Sequence, residues 1–423
     1  MEYKALRGMQ DILPEDAALW QGVEAASRAV LETFGYREIR TPVLEEKGLF
    51  VKSIGGETDI VTKEMFAFKD RGEREVVMRP EGTAPIVRAY LEANLHKTDP
   101  FQKLYYVSPM FRAERPQAGR MRQFHQVGAE AIGSFDPALD AEMITLLASI
   151  LSALDIKDYK IRINNLGCKD DKSKLSKELR AILSDKKAML CEDCKKRLDA
   201  NPLRVIDCKN EACRATVRSA LKSVKFLCPK CEENFKKVLS YLDSSRLKYM
   251  LDPYIVRGLD YYTGTVFEVS HSGLGAQDAI GAGGRYDNLI SDMGGPETGA
   301  VGFALGLERV LIAAEKEGVL QGRPEKKKLF YIATLGEAAH MKGFEILSAL
   351  RSSCAGKFLF DMGYESKSLK AEMRNADKLK ASFVLIIGDD EISKGEAAVR
   401  DMQSKEQIVV KLGSITKEID KLC

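Results

Sequence analysis

Between residues 14 and 34 the apolar side chains Leu19, Val23, Ala26 and Val30 recur at spacings of four, three and four, which draws one stripe along a helix. Pro14 suits the first turn of that helix and Gly35 is placed to end it. Residues 38–43 then read as a strand, and Pro42, having no N–H for a sheet ladder, puts this strand at an edge or an interface. Further strand-like runs lie at 75–79, 104–107, 128–132, 160–164 and 266–270. Turns and helical segments separate them without regular βα alternation, so the pattern predicts a mostly antiparallel sheet flanked by helices.

Residues 168–247 differ from their surroundings. They are rich in Lys, Glu and Cys and read as an insertion, after which the Gly-rich, sheet-like pattern resumes near Tyr254. A polar Gly- and Pro-containing linker spans 317–328. Beyond it, strand patterns at 329–334, 383–387 and 408–410 enclose helical patterns at 338–350 and 369–379, predicting a small α/β domain with a largely parallel sheet. The expected division is a main domain over 1–325, with the insertion at about 168–247, and a second domain over 326–423.

Size and composition narrow the classes. A chain of 423 residues with 45% hydrophobic and 30% charged residues is expected to fold as two or three globular domains. No apolar run reaches membrane-spanning length and the N-terminus lacks a signal-peptide core, so the expected compartment is the cytoplasm. A formal charge of +3 permits nucleic-acid binding without arguing for it. Nine cysteines in a chain without an export signal indicate thiols or metal ligands rather than a disulfide scaffold.

The candidate chemistry centres on Arg112, Arg257 and Arg309. They sit in FRAERPQAGRMRQFHQ (111–126), RGLDYYTGTVFEV (257–269) and GFALGLERVL (302–311). A guanidinium fork suits phosphate or carboxylate, and three of them suggest one pocket for a polyphosphate. No P-loop motif is present, and GAGGRYDN (281–288) lacks the spacing and following helix of a dinucleotide site. Taken alone, Gly281, Gly283 and Gly284 mark a tight turn or a close approach of backbone to ligand.

In order along the chain, FGYREIRTPVLE (34–45), the Arg112 segment and the Arg309 segment resemble the three motifs of class II aminoacyl-tRNA synthetases. The Arg257 segment, GAGGRYDNLI (281–290) and MRPEGTAPIVRAY (78–90) are similar to segments special to the histidyl-tRNA synthetases. That resemblance covers nearly the whole chain. It implies an α+β catalytic domain, a helical Cys-rich insertion and a C-terminal α/β anticodon-binding domain. It also implies a homodimer of bacterial type without membrane attachment, acting on L-histidine, ATP with Mg2+ and tRNA-His.

The same resemblance implies residue roles. Arg112 would bind the α-phosphate, with Glu114 beside it, and Arg309 the γ-phosphate end. Arg257 would touch the α-phosphate and the attacking carboxylate, where its charge replaces one metal ion used by other class II members. Phe124 either stacks the adenine or belongs to the core. Glu81 and Thr83 would hold the α-amino group, and Gln126 the amino or carboxylate end. Glu130 and Tyr262 would bond the two imidazole nitrogens, and a buried carboxylate left unpaired by a wrong substrate would enforce the choice. Tyr286 either closes the pocket or is structural. His125 is read as a packing or hydrogen-bonding residue, not a base. Arg115, Gln117 and Arg120 would meet the tRNA acceptor end.

Cys191-x2-Cys194, Cys208-x4-Cys213 and Cys228-x2-Cys231 form three pairs. The first two have a spacing compatible with a four-thiolate zinc site, and the last pair would also serve with either of the others. Reduced thiols packing a small domain are the alternative. Cys168, Cys354 and Cys423 show no relation to these pairs. Regulatory paralogues of this family lack the anticodon domain and lose catalytic arginines, whereas both features are present here.

Overall fold

The first helix forms over Pro14–Thr33 as its spacing predicts, but the buried stripe is rotated by one residue, to Trp20, Val23, Ser27 and Leu31. The reason is Trp20, whose ring packs edge-on against His125 with centroids 4.9 Å apart. Ser27 is tolerated on this face because its hydroxyl donates back to Val23 O. The structure is a computed structural model describing residues 3–420, except 57, 117–118, 209, 222–223, 276–277, 320–326, 355, 357 and 365–367.

The strand expected over 38–43 is not continuous. It divides into β1 (Arg37–Glu38) and, after a crossing segment, β2 (Leu44–Glu46), which belong to different sheets. Pro42 interrupts the ladder, and the buried Arg79 guanidinium supplies the missing donors, bonding Thr41 O at 2.8 Å and Pro42 O at 3.3 Å. The next strands are β3 (Phe66–Lys69), β4 (Glu75–Met78), β5 (Gln102–Phe111), β6 (Gln123–Ile132), β7 (Tyr159–Asn165), β8 (Met250–Leu251), β9 (Thr263–His271), β10 (Ala279–Arg285) and β11 (Ala300–Gly306). A small antiparallel sheet has the order β2-β4-β3, and the main sheet the order β1-β5-β6-β11-β10-β9-β7-β8. The main sheet is antiparallel throughout its centre, with parallel pairs only at β1–β5 and β7–β8.

The glycine run 281–284 is a strand, β10, not a turn. It is squeezed between β9 and β11, and a β-carbon at Gly284 would stand 2.7 Å from Thr265 O.

Strand alternation gives the main sheet two different faces. Tyr105, Val127, Ala129, Ala131, Val301, Phe303, Phe267 and Val269 belong to one apolar cluster with the helices Pro14–Thr33, Pro137–Ala153 and Leu307–Glu317. Leu104, Tyr106, Ile132, Ala300 and Val266 belong to a second cluster, which includes helix Thr83–Glu92 and leaves part of its face open. Beneath the chain reversal at Ser134–Asp140, Arg285 bonds the Asp140 carboxylate at 3.0–3.1 Å through Nε, and also Ser134 O, Asp136 O and Asp287.

Helices Lys169–Ser184, Glu192–Ala200 and Glu211–Leu221 carry their own core of Leu175, Leu179, Leu183, Leu198, Val217 and three cysteines. Helix Pro229–Ser244 instead packs on Pro137–Ala153, with Val238 and Leu242 in the main core. The body with an independent core is therefore shorter than residues 168–247.

The chain divides into compact units Met1–Gly322 and Arg323–Cys423. The second contains β12 (Leu329–Leu335), β13 (Leu359–Met362), β14 (Phe383–Gly388), β15 (Glu396–Asp401) and β16 (Gln407–Lys411), in the order β13-β12-β14-β15-β16. Its sheet is mixed rather than largely parallel: β12 pairs in parallel with β13 and β14, while β15 and β16 add as an antiparallel hairpin. No helix among the described residues is long and apolar enough to cross a membrane.

Because Asp140 and Arg285 are both almost fully buried, removing one leaves the other charged and unpaired. Arg285→Met is expected to destabilise the larger unit by about 3–5 kcal/mol, read from its urea unfolding midpoint. A loss below about 1 kcal/mol would contradict this account of the pair.

Candidate active site

Parity along β6 decides which of its side chains face the open side of the sheet. Phe124, Gln126, Gly128 and Glu130 share one face, and His125, Val127, Ala129 and Ala131 the other. His125 accordingly sits beside Trp20 and Glu308, its Nδ1 3.0 Å from a Glu308 oxygen, and it is not among the residues lining the cleft. On the open face lies a cleft of about 340 Å³. Arg112, Arg257 and Arg309 all line it, together with Glu81, Thr83, Glu114, Arg120, Phe124, Gln126 and Tyr262.

Each arginine reaches the cleft from a different element and is held by backbone or acid. Arg112 follows β5, donates through Nε to Pro80 O at 2.9 Å, and lies 5.3 Å from the Phe124 ring centroid. Arg309, in helix Leu307–Glu317, donates through Nε to Gly119 O at 2.8 Å. Its pKa is lowered by burial and by the nearby charges of Arg120 and Arg112. Like charges thus converge at one end, the arrangement that an anion would relieve. Arg120 forms an ion pair with Glu114, and Glu114 in turn helps burial hold the Glu64 carboxyl above its ordinary range.

Arg257 bonds Glu268 at 3.1 Å through Nη1 and lies 5.9 Å from the Tyr262 ring centroid. Its Nε is buried with no hydrogen-bond partner, and so is Oε1 of Gln126. A buried donor and a buried acceptor left open in the same cleft is costly, and a ligand offering both functions would satisfy them.

The floor beyond is a set of buried acids and phenols. Glu81 accepts from the backbone N–H groups of Thr83 (2.7 Å) and Ala84 (2.9 Å), so it caps helix Thr83–Glu92, and it also accepts from the Tyr261 hydroxyl. Glu130 lies just beneath the lining residues, only 1% exposed. It accepts from Thr83 Oγ1 at 2.7 Å and from the Tyr286 hydroxyl at 2.6 Å. Burial pushes its pKa up to about 8, against the pull of those two bonds. Gly302 faces it across the β6–β11 ladder, and a β-carbon there would collide with a Glu130 oxygen. Tyr286 is fully buried and supports Glu130 rather than lining the cleft.

Of the acceptor-loop residues, Arg120 lines the cleft, Arg115 is exposed outside it, and Gln117 lies outside the described residues. Sequence reasoning passed over Glu268, which links Arg257 to Arg162 (2.6 Å), and Tyr106, which the backbones of Gly82 and Gly128 approach too closely to carry side chains. Glu268 had a signal: it is the one charged residue in the apolar strand β9.

The cysteines fall into two groups. Ligand atoms of Cys191, Cys194, Cys208 and Cys213 lie within 4.8 Å of one another, and the Sγ atoms of Cys191 and Cys208 are 3.7 Å apart. Four sulfurs bound tetrahedrally to zinc would stand about 3.8 Å apart. Cys168, set aside on sequence, lies in the second group with Asp171, Cys228 and Cys231. Helix geometry brings it there: Cys168 is the N-cap of Lys169–Ser184. Cys354 is buried in the core of the second unit, and Cys423 lies outside the described residues.

A family model described as histidyl-tRNA synthetase matches residues 8–310, and one described as an anticodon binding domain matches 330–422. The histidine–tRNA ligase of Halothermothrix orenii is 44% identical over 422 residues, covering 100% of both chains. That of Desulforamulus reducens is 45% identical over 96% of each. The crystal structure of apo S. aureus histidyl-tRNA synthetase superposes with a TM-score of 0.80 at 33% identity, covering 98% of this chain and 99% of that one. With the motifs gathered on one cleft, and with such matches over its length, the chain belongs to the histidyl-tRNA synthetase family.

Proposed function

We infer that the chain attaches L-histidine to tRNA-His in two steps. In the first, a carboxylate oxygen of histidine attacks the α-phosphorus of ATP, forming histidyl-adenylate as the bond to pyrophosphate breaks. In the second, the terminal 3′-hydroxyl of tRNA-His attacks the acyl carbon and AMP leaves. The observation that carries this reading is the convergence of three guanidinium groups on a cleft that also holds an open Arg257 Nε and an open Gln126 Oε1. Phosphoryl-group chemistry of this kind needs alignment and fixed positive charge more than covalent help.

In this reading Arg112, beside Glu114, meets the α-phosphate, and Arg309 the far phosphates, with adenine stacked on Phe124. Magnesium on the β- and γ-phosphates would supply further charge neutralisation. Arg257, steadied by Glu268, bridges the α-phosphate and the attacking carboxylate, and Gln126 takes the amino or carboxylate end. Glu81 and Thr83 hold the amino group. Tyr262 and Glu130 form the imidazole end, where an approaching N–H favours the ionised form of Glu130. Arg115, Gln117 and Arg120 would meet the acceptor end of the tRNA, and the domain over 326–423 takes the anticodon. The assembly is proposed as a cytoplasmic homodimer: a groove beside Pro42, lined by Leu49, Arg88 and Met293, suits an interface in the region of the first motif. Zinc at Cys191, Cys194, Cys208 and Cys213 would brace the insertion, supported by their sulfur spacing.

ATP–pyrophosphate exchange tested with each amino acid in turn should require histidine. Exchange driven by another amino acid, or none at all, would reject the reading. Arg257→His should lower the activation rate by about two powers of ten or more, since a preorganised charge facing the transition state contributes a few kcal/mol. A near-normal rate would mean that the role belongs elsewhere.

Glu130 gives a pH prediction. Below its ordinary value of 4.5 both folded and unfolded chains carry the proton. Between 4.5 and about 8 the unfolded chain releases it while the folded chain keeps it, so stability falls as pH rises and levels off above about 8. Glu130→Gln should remove up to about 5 kcal/mol of that decline, measured by urea unfolding from pH 5 to pH 9. Parallel profiles for the two proteins would contradict the assignment.

A further inference from the structure

We propose that Cys168, Asp171, Cys228 and Cys231 form a second structural zinc site, separate from the four-cysteine group, that fastens together the two ends of the insertion where they join the catalytic sheet. The argument begins with helix geometry. Cys228 is the N-cap of helix Pro229–Ser244, and Cys231 is its third residue. Cys191 and Cys194 hold the same two positions on helix Glu192–Ala200. Cys168 and Asp171 hold them on helix Lys169–Ser184. The sequence C-x-x-D at 168–171 is thus equivalent in space to a C-x-x-C pair, with a carboxylate standing where the second thiolate would be.

Two such pairs face each other across the root of the insertion. The three sulfurs and a carboxylate oxygen lie within 4.8 Å of one another, a set that a tetrahedral zinc ion can gather with small adjustments. The Asp171 carboxylate is buried and already bonded to the backbone N–H of Cys168 (3.2 Å) and of Cys228 (3.0 Å). Those bonds fix its orientation and leave lone pairs for a metal, as outer hydrogen bonds do for a ligating carboxylate. Two helix N-termini also meet here, and their partial positive charge favours thiolate and carboxylate ligands. The set has no histidine and offers four protein donors, which suits a closed structural site.

The position gives the site a purpose. Cys168 follows Gly167, whose carbonyl accepts from Gly264 N in the main sheet, and Cys231 O accepts from Asn165 Nδ2 of β7. The next residue after Asp171 is Lys172, whose half-buried ammonium donates to Asp260 O and Tyr262 O, both at 2.8 Å. A metal here would lock entry and exit of the insertion to each other and to the backbone of the Tyr262 segment.

The test is metal content of the full-length protein, purified with zinc and measured by inductively coupled plasma mass spectrometry. Wild type is expected to hold two zinc ions per chain. The double variant Cys228→Ser/Cys231→Ser should hold one, and Cys191→Ser/Cys194→Ser should also hold one. A wild-type content that does not drop on Cys228→Ser/Cys231→Ser overturns the second site, whatever the first pair does. A drop there without one in the other variant supports this site and removes the four-cysteine reading instead. If the Cys228→Ser/Cys231→Ser chain does not fold, the Cys191→Ser/Cys194→Ser chain titrated with cobalt carries the test. Thiolate-to-cobalt absorption saturating at one equivalent supports the site, and no such absorption overturns it.

Discussion

Alternation of side chains across an antiparallel sheet is the constraint on which this protein rests. One face of the main sheet is closed by apolar helices, so most of its residues are apolar, such as Val127, Ala129, Phe267 and Phe303. The other face is only partly covered, and there the same strands carry Phe124, Gln126, Glu130 and Glu268. The apolar face makes the sheet stiff. The polar face inherits that stiffness, which is what a site built from fixed charges requires.

Burial of acids, within the cleft and outside it, is the counterpart of that design. Glu81, Glu130 and Asp140 each lose water, and each is met by a specific donor set: a helix N-terminus, two hydroxyls, and a guanidinium. Glycine makes room for them. Gly302 gives up a side chain to Glu130, and Gly82 and Gly128 do the same for Tyr106. Gly82, Gly128 and Gly302 are therefore packing solutions around buried side chains, while Gly281, Gly283 and Gly284 leave room for the neighbouring strands.

The insertion follows a different logic. It is a set of short helices with a small core, Leu175, Leu179 and Leu183 on one side and cysteines on the other. Few apolar residues are available to order it, and small bodies of this kind commonly depend on cross-links or metals. Helix Pro229–Ser244 is the exception, since Val238 and Leu242 join the main core and anchor the far end.

The three arginines stood out in their strings, the family resemblance pointed to Glu81, Thr83 and Gln126, and all six line the cleft; periodicity was enough to find the first helix, most strands and the break at the linker. These features are local: a guanidinium in an apolar string, or an apolar repeat, is visible without knowing what lies opposite. Tertiary structure decided the rest. The Pro42 segment changes sheets because Arg79, distant in sequence, supplies its donors. The glycine run became a strand because β9 and β11 press on it from both sides. The second sheet is mixed because a hairpin of weakly patterned residues adds to a parallel core. Cys168 and Asp171 gained partners nearly sixty residues away because two helix starts meet at the insertion root. Each outcome depends on which distant backbone arrives to satisfy a donor, an acceptor or a space, and no local pattern encodes that arrival.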